Sequence, residues 1–171
     1  MFNLSLIRVG LYFILIWSLT LSCSKKEDVS LILHLIQESA RLAEAHRVRA
    51  LMDLTTEDFQ ATPGRHDRRE TGKILWRVFR HYGDFKILYP EPAVDFKSDG
   101  AATATLYFVI VKEERTYPEL KRLYKDPKGW LEEVGGNADL YRLTIGFVKK
   151  NPDWVVKSSL LEPFNGLGFG R

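Results

Sequence analysis

The hydrophobic period of this chain changes once, at Gly83, and that change limits the folds open to it. Before Gly83 apolar residues recur at helical spacing; after it they alternate. Val29, Ile32, Ile36, Ala40 and Ala43 share one helical face, with Leu35 and Leu42 beside them. His34, Gln37, Glu38, Arg41 and Glu44 lie mostly opposite. Asp28 is a good N-cap for this first helix, which should run to about Arg47, and a short second helix over Val48 to Leu54 follows. Thr55 to Phe59 reads as an exit into extended chain, and Ala61-Thr62-Pro63-Gly64 as a turn. Asp67 with Glu70 is an Asp form of the capping box. It opens a third helix with Ile74, Leu75, Val78, Phe79 and Tyr82 on its apolar face and Gly83 as its stop.

Past Gly83, Phe85, Ile87 and Tyr89 alternate with Lys86 and Leu88 until Pro90 and Pro92 interrupt, the pattern of a kinked or edge strand. Ser98-Asp99-Gly100 is a turn. Ala102 to Val111 is a long strand, apolar on both faces at its far end and therefore central. Arg142 to Lys149 and Trp154 to Leu161 are two more strands, joined through Lys150-Asn151-Pro152-Asp153. Residues 113–138 interrupt the series, with a short helix expected over Tyr117 to Tyr124 and a loop at Gly135-Gly136-Asn137. Helices followed by a run of antiparallel strands define an α+β protein.

The first 22 residues belong to neither pattern. One charge, Arg8, precedes an apolar run from Val9 to Leu21, about 13 residues against the roughly 20 that span a bilayer. The run ends at Ser22-Cys23, the only cysteine, and polar Ser24 to Asp28 follow. A short apolar core before a small residue and a cysteine resembles a bacterial lipoprotein signal. That resemblance implies cleavage before Cys23, a diacylglycerol thioether on it, a membrane-anchored protein of the cell envelope, and the outer membrane where the host has two. The position three before the cysteine is Thr20, where leucine is commonest in such signals. An uncleaved signal anchor is the alternative. The organisation expected is a signal peptide at 1–22, a lipidated tether at 23–28, one domain at 29–162 and a flexible tail at 163–171.

Beyond residue 22 the chain carries 24 basic and 22 acidic residues, too even a balance to favour nucleic acid. One cysteine rules out an intrachain disulfide and a multi-cysteine zinc site. There is no phosphate-binding glycine loop, metal-spaced histidine set or nucleophile elbow, and no cofactor is indicated.

Three stretches resemble the nuclear-transport-factor-2-like, or cystatin-like cone, family. They are Ala43 to Phe59, leading from the long helix through a short one to a core aromatic; Asp67 to Tyr82; and the hairpin Tyr141 to Leu161 with Trp154 opening its last strand. The resemblance implies N-terminal helices packed on a curved antiparallel sheet, with a mostly apolar pocket at the open end of the cone. The insertion at 113–138 departs from the compact plan and is expected to cover or extend that pocket. Some members are isomerases or dehydratases and others are binding or dimerisation modules, so fold does not choose among these.

Candidate pocket residues are Tyr82, Tyr107, Tyr141 and Trp154. No His–Asp pair or family catalytic pattern can be carried onto the chain, so no catalytic residue is assigned. Asp95, between Val94 and Phe96, faces away from the core by alternation. On the third helix Arg69, Lys73, Arg77 and Arg80 recur on one side. That stripe is a solvated face or a contact for anionic lipid, cell-wall polymer or an acidic protein. The favoured reading is an envelope lipoprotein whose domain binds or assembles. A pocket enzyme and a structural homodimer module are the alternatives, the last needing a continuous exposed apolar sheet face.

Overall fold

The computed structural model describes residues 25–112, 117–134, 138–150 and 152–163. Cys23, the signal segment, the Gly135-Gly136-Asn137 loop and the tail beyond Pro163 lie outside these residues.

The first helix, α1, covers residues 25–44. It is followed by α2 (Val48–Asp53), β1 (Thr55–Thr62), β2 (His66–Asp67), α3 (Arg68–Tyr82), β3 (Lys86–Leu88), β4 (Ala93–Ser98) and β5 (Ala101–Val111). A 3-10 turn (Leu120–Tyr124), α4 (Pro127–Val134), β6 (Ala138–Lys150) and β7 (Asp153–Pro163) complete the chain. The sheet order is β2-β1-β7-β6-β5-β3, with β4 also pairing β5. This is an α+β architecture of helices on a curved, unclosed, mostly antiparallel sheet. The exception is β1, which runs parallel to β7. Pro90 and Pro92 split the expected edge strand in two, and β3 and β4 each pair with β5.

Register assigns the two faces. Ala102, Ala104 and Leu106 of β5 pack with Ile32 and Ile36 of α1 and with Phe59, Ile145, Phe147 and Trp154, forming the inner core. Ile110, on the same face, joins a second cluster with Ala43, Phe79 and Phe85. Val109, Val111 and Leu140 point the other way, onto Leu123, Trp130 and Val134. The insertion therefore covers the outer face of the sheet, not the cone pocket as expected. Its second half is the helix α4, which the sequence reading missed. Beyond the insertion the outer face is mixed: Thr105 pairs with Thr144 and Arg142 lies 3.5 Å from Glu162, while Val148 pairs with Val155 and Leu160 is exposed.

Both ends of α1 are tied down. Asp28 does not cap the helix, which already includes residues 25–28. Its carboxylate turns sideways: Oδ1 accepts from Trp154 Nε1 at 2.8 Å and Lys149 Nζ at 2.7 Å. At the other end Glu44 accepts the backbone N–H of Ile87 at 2.8 Å. It thereby satisfies a donor on an edge strand. Just past Glu44, His46 takes a positive φ of 54°. Arg47 N–H reaches Leu42 O and His46 N–H reaches Ala43 O, a Schellman stop with histidine where glycine is usual. The ring offsets the strain by stacking on Phe79 and Phe85, and its Nε2 lies 2.9 Å from Gly83 O. Asp67 and Glu70 form the expected capping box, and Gly83 ends α3 at φ 66°.

Burial raises the Asp28 pKa, but the hydrogen bonds from Lys149 and Trp154 and the Lys149 charge outweigh it and hold the carboxyl below its ordinary value. The contribution of Asp28 to stability is therefore present above the unfolded value of 3.8 and is lost as pH falls through the folded one. Asp28→Ala should cost about 2–3 kcal/mol near neutral pH, because it leaves a buried indole N–H and a lysine without their acceptor. Denaturant melts at pH 7 and pH 3 check both statements; the gap between wild type and variant should narrow at the lower pH.

Candidate functional site

Of the four candidate pocket residues, the structure brings two together. Tyr82, the last residue of α3, donates its hydroxyl to Asp139 Oδ2 at 2.6 Å, and its oxygen lies 3.0 Å from Tyr141 Oη. Asp139 and Tyr141 project from the inner face of β6, paired with Ile110 and Phe108 of β5. Phe108 stacks on Tyr141 with ring centroids 5.3 Å apart. Leu143 and Leu161 are partners on the same face. Phe108, Tyr141 and Leu143 are half-buried, and Leu161 is 39% exposed, so this end of the inner face is an apolar mouth. Lys112 Nζ lies 5.8 Å from the centre of the Tyr82 ring.

The other two candidates belong elsewhere. Trp154 is buried at 5% exposure, locked to Asp28 and edge-on to Phe96. It shares the inner face, but its polar atom is committed to α1. Tyr107 has the opposite parity to Leu106 and Phe108, so it faces outward and meets Tyr124 of the insertion. Asp95 is exposed on the outer face, as its alternation implied. Asp139 was missed because it precedes the predicted strand; β6 starts at Ala138, four residues before the expected boundary.

The direction of hydrogen bonding at the mouth is determined. A phenol has one proton. Tyr82 gives its proton to Asp139, so the contact with Tyr141 runs from Tyr141 to Tyr82. The Tyr82 proton points at the carboxylate and the Tyr141 proton at Tyr82 Oη, so Tyr141 Oη presents lone pairs. Burial, then the bonds to Asp139 and Tyr141, raise the Tyr82 pKa well above its ordinary value of 10.0, so the phenol stays protonated.

A second feature lies on α2 and the exposed side of α3. Val48, Met52, Gly72, Trp76 and Lys73 line an open groove of about 1360 Å³. Arg69, Lys73, Arg77 and Arg80 are all exposed, as expected of the stripe. Sequence reasoning missed Trp76, which is 53% exposed with the Arg80 guanidinium 4.8 Å above its ring. Its spacing was the available signal: Trp76 lies seven residues after Arg69, on the same stripe. Among the described residues no His, Cys, Asp and Glu group is placed to hold a metal ion, and no helix is long and apolar enough to cross a membrane.

No protein-family model and no curated protein matches the sequence. Solved structures do match the fold. A Novosphingobium aromaticivorans protein provisionally described as a scytalone dehydratase is similar at TM-score 0.63 and 13% identity, over 84% of this chain and 88% of that one. An NTF2-like protein with a cystatin-like fold from the same species gives 0.61 and 16%, over 86% and 89%. ActVI-ORFA of Streptomyces coelicolor gives 0.59 and 15%, over 78% and 95%. The chain has the nuclear-transport-factor-2-like, cystatin-like fold.

The raised Tyr82 pKa has a consequence for stability. As pH rises past 10.0 the unfolded chain releases this proton while the folded one keeps it, so the stability it contributes is present below that pH and lost above it. In a spectrophotometric tyrosinate titration, Tyr82→Phe should remove a phenol that ionises late and leave the early part of the curve in place.

Proposed function

We propose that this chain is a lipid-anchored envelope protein whose cone domain is a binding module, taking at its mouth a small ligand with an apolar body and a hydroxyl or amine donor. The observation that carries the reading is the oriented chain Tyr141 to Tyr82 to Asp139 beside Phe108, Leu143 and Leu161. With the Tyr82 proton on Asp139 and the Tyr141 proton on Tyr82, the mouth offers acceptors, and apolar side chains surround them. A ligand that gives a hydrogen bond there is favoured over one that only accepts. The lipoprotein-like signal at residues 1–24 supports the address.

A second reading makes the same mouth an isomerase- or dehydratase-type active site. The hydrogen-bond chain supports it too, because a proton taken from a ligand at Tyr141 would have a path through Tyr82 to Asp139. The similarity to a provisional scytalone dehydratase is one of fold alone and favours neither reading.

A matched pair of probes tests the binding mode. 2-Naphthol has an aromatic body and a donor; 2-acetylnaphthalene has the same ring system and only an acceptor. Calorimetry should show naphthol binding about tenfold more tightly, the worth of one hydrogen bond at a half-buried site. Tyr82→Phe removes the acceptor of the Tyr141 hydroxyl and frees its proton, so the preference should shrink or reverse. Equal affinities, unchanged by Tyr82→Phe, would sink the idea, and conversion of the donor probe that Asp139→Asn abolishes would favour the enzyme.

The address is tested separately by intact mass of the N-terminal peptide from membrane fractions. An acylated peptide starting at Cys23, absent in Cys23→Ala, is the expected result. An unmodified peptide that still carries Met1 would remove the anchor.

A further inference from the structure

We infer that the α2–α3 face docks on the anionic phospholipid headgroups of the membrane that holds the anchor. This rests on the anchored reading above and adds an orientation to it. Three observations combine.

The first is charge. None of Arg49, Arg69, Lys73, Arg77 and Arg80 lies in an ion pair among the described residues, whereas Arg68 on the groove's rim is paired with Asp53 at 2.8 Å. Capping holds Asp67 and Glu70 to one another, at the start of the helix. The remaining surface of α3 along this stripe is cationic over three turns.

The second is Trp76. A tryptophan that is 53% exposed with the Arg80 guanidinium over its ring is suited to the headgroup layer, where its ring meets acyl chain and its edge meets water. Trp130 and Trp154 are buried, so Trp76 is the described tryptophan that can report on lipid.

The third is where the chain outside the described residues attaches. Residue 25, two after Cys23, is already helical. In the next turn Asp28 bonds Trp154 near the start of β7. Two residues on, about 7 Å along that strand, Val156 N–H bonds Leu54 O at the end of α2. Arg68 then bonds Met52 O and Asp53 at the groove's rim. A short series of hydrogen bonds thus joins the anchored end of α1 to the groove. Lipid on Cys23 would bring the near end of this face toward headgroup phosphates, where exposed Lys25 and Lys26 add charge; its far end, by Arg80, lies beside the other end of α1, where His46 stacks on Phe79.

Each basic side chain close to an anionic membrane strengthens binding about fivefold. Removing three such charges costs on the order of a hundredfold, so reversing Lys73, Arg77 and Arg80 to Glu together should weaken docking by more than that. All three are exposed, so the variant should fold as the wild type does, which a thermal melt checks. The experiment uses full-length, membrane-extracted protein reconstituted into vesicles of phosphatidylcholine alone or with phosphatidylglycerol. Lipids brominated near the headgroup quench nearby tryptophan, and Trp76→Phe assigns the signal.

Quenching of Trp76 that appears with phosphatidylglycerol, and is lost both in the triple variant and at about 0.5 M salt, is the expected result. Quenching equal in both vesicles, or unaffected by the triple variant, overturns the proposal. Binding of soluble polyglutamate by the same face without quenching in phosphatidylglycerol vesicles also overturns it, and would assign the face to an acidic protein instead. Failure of the anchor looks different: the N-terminal peptide carries no lipid. Failure of docking leaves a lipidated protein whose Trp76 stays in water.

Discussion

One carboxylate oxygen fixes how the long helix sits on the sheet. Asp28 Oδ1 accepts from the Trp154 indole at one side and the Lys149 ammonium at the other, and those two residues are neighbours across the β6–β7 pairing. A buried carboxylate is costly unless paired, and a buried indole N–H is costly unless bonded, so the three groups require one another. Apolar packing alone would let α1 slide or turn on a smooth inner face, because dispersion and burial are not directional. The Asp28 contact supplies direction at the N-terminal end, and Glu44 supplies it at the other by binding an N–H of β3. With both ends placed, Ile32 and Ile36 fall over Ala102 and Ala104, where small side chains admit the helix.

That arrangement explains what was legible in the sequence and what was not. Hydrophobic period is a local property, so α1, α2, α3 and the strands after Gly83 could be read from residue spacing. The capping box at Asp67 and the stop at Gly83 were legible for the same reason, since each acts within a few residues. Pairings between distant segments leave no such mark. Asp28 looked like an N-cap because Asp commonly is one, yet its partners lie over a hundred residues away. The parallel pairing of β1 with β7 was invisible for a related reason: direction depends on the path of the intervening chain, not on the strand's own pattern. His46 looked like a polar helix residue, whereas its backbone makes the turn and its ring fills the gap between Phe79 and Phe85.

The candidate site was half legible. Tyr82 and Tyr141 were singled out as aromatic groups with a polar tip near the expected pocket, and the fold brings those tips within hydrogen-bond distance. Tyr107 was grouped with them because the far end of β5 is apolar on both faces, and apolarity alone does not say which face a residue takes. Register does: Tyr107 pairs with Arg142, and Phe108 with Tyr141. The insertion settles the rest. It buries Trp130 on the outer face against Val109, Val111 and Leu140, a core separate from the inner one.

The two candidate surfaces differ in what holds them. The mouth is held from several elements: Tyr82 is anchored at the end of a capped helix, Asp139 is paired with β5 and Tyr141 with both β5 and β7, and the hydrogen bonds among them have one direction. Such a site discriminates between ligands by donor and acceptor placement, since a mismatched ligand leaves a polar group unpaired. The α2–α3 face has no comparable constraint. Its arginines and lysine are long, exposed and mutually repelling, ordered among the described residues by the stacking of Arg80 on Trp76 and a long bond from Arg77 Nε to Lys73 O. A surface of that kind adapts to many arrangements of negative charge and recognises no single one, which suits a fluid layer of headgroups better than a shaped small molecule. On the proposed reading, specificity would belong to the mouth and orientation to the basic face.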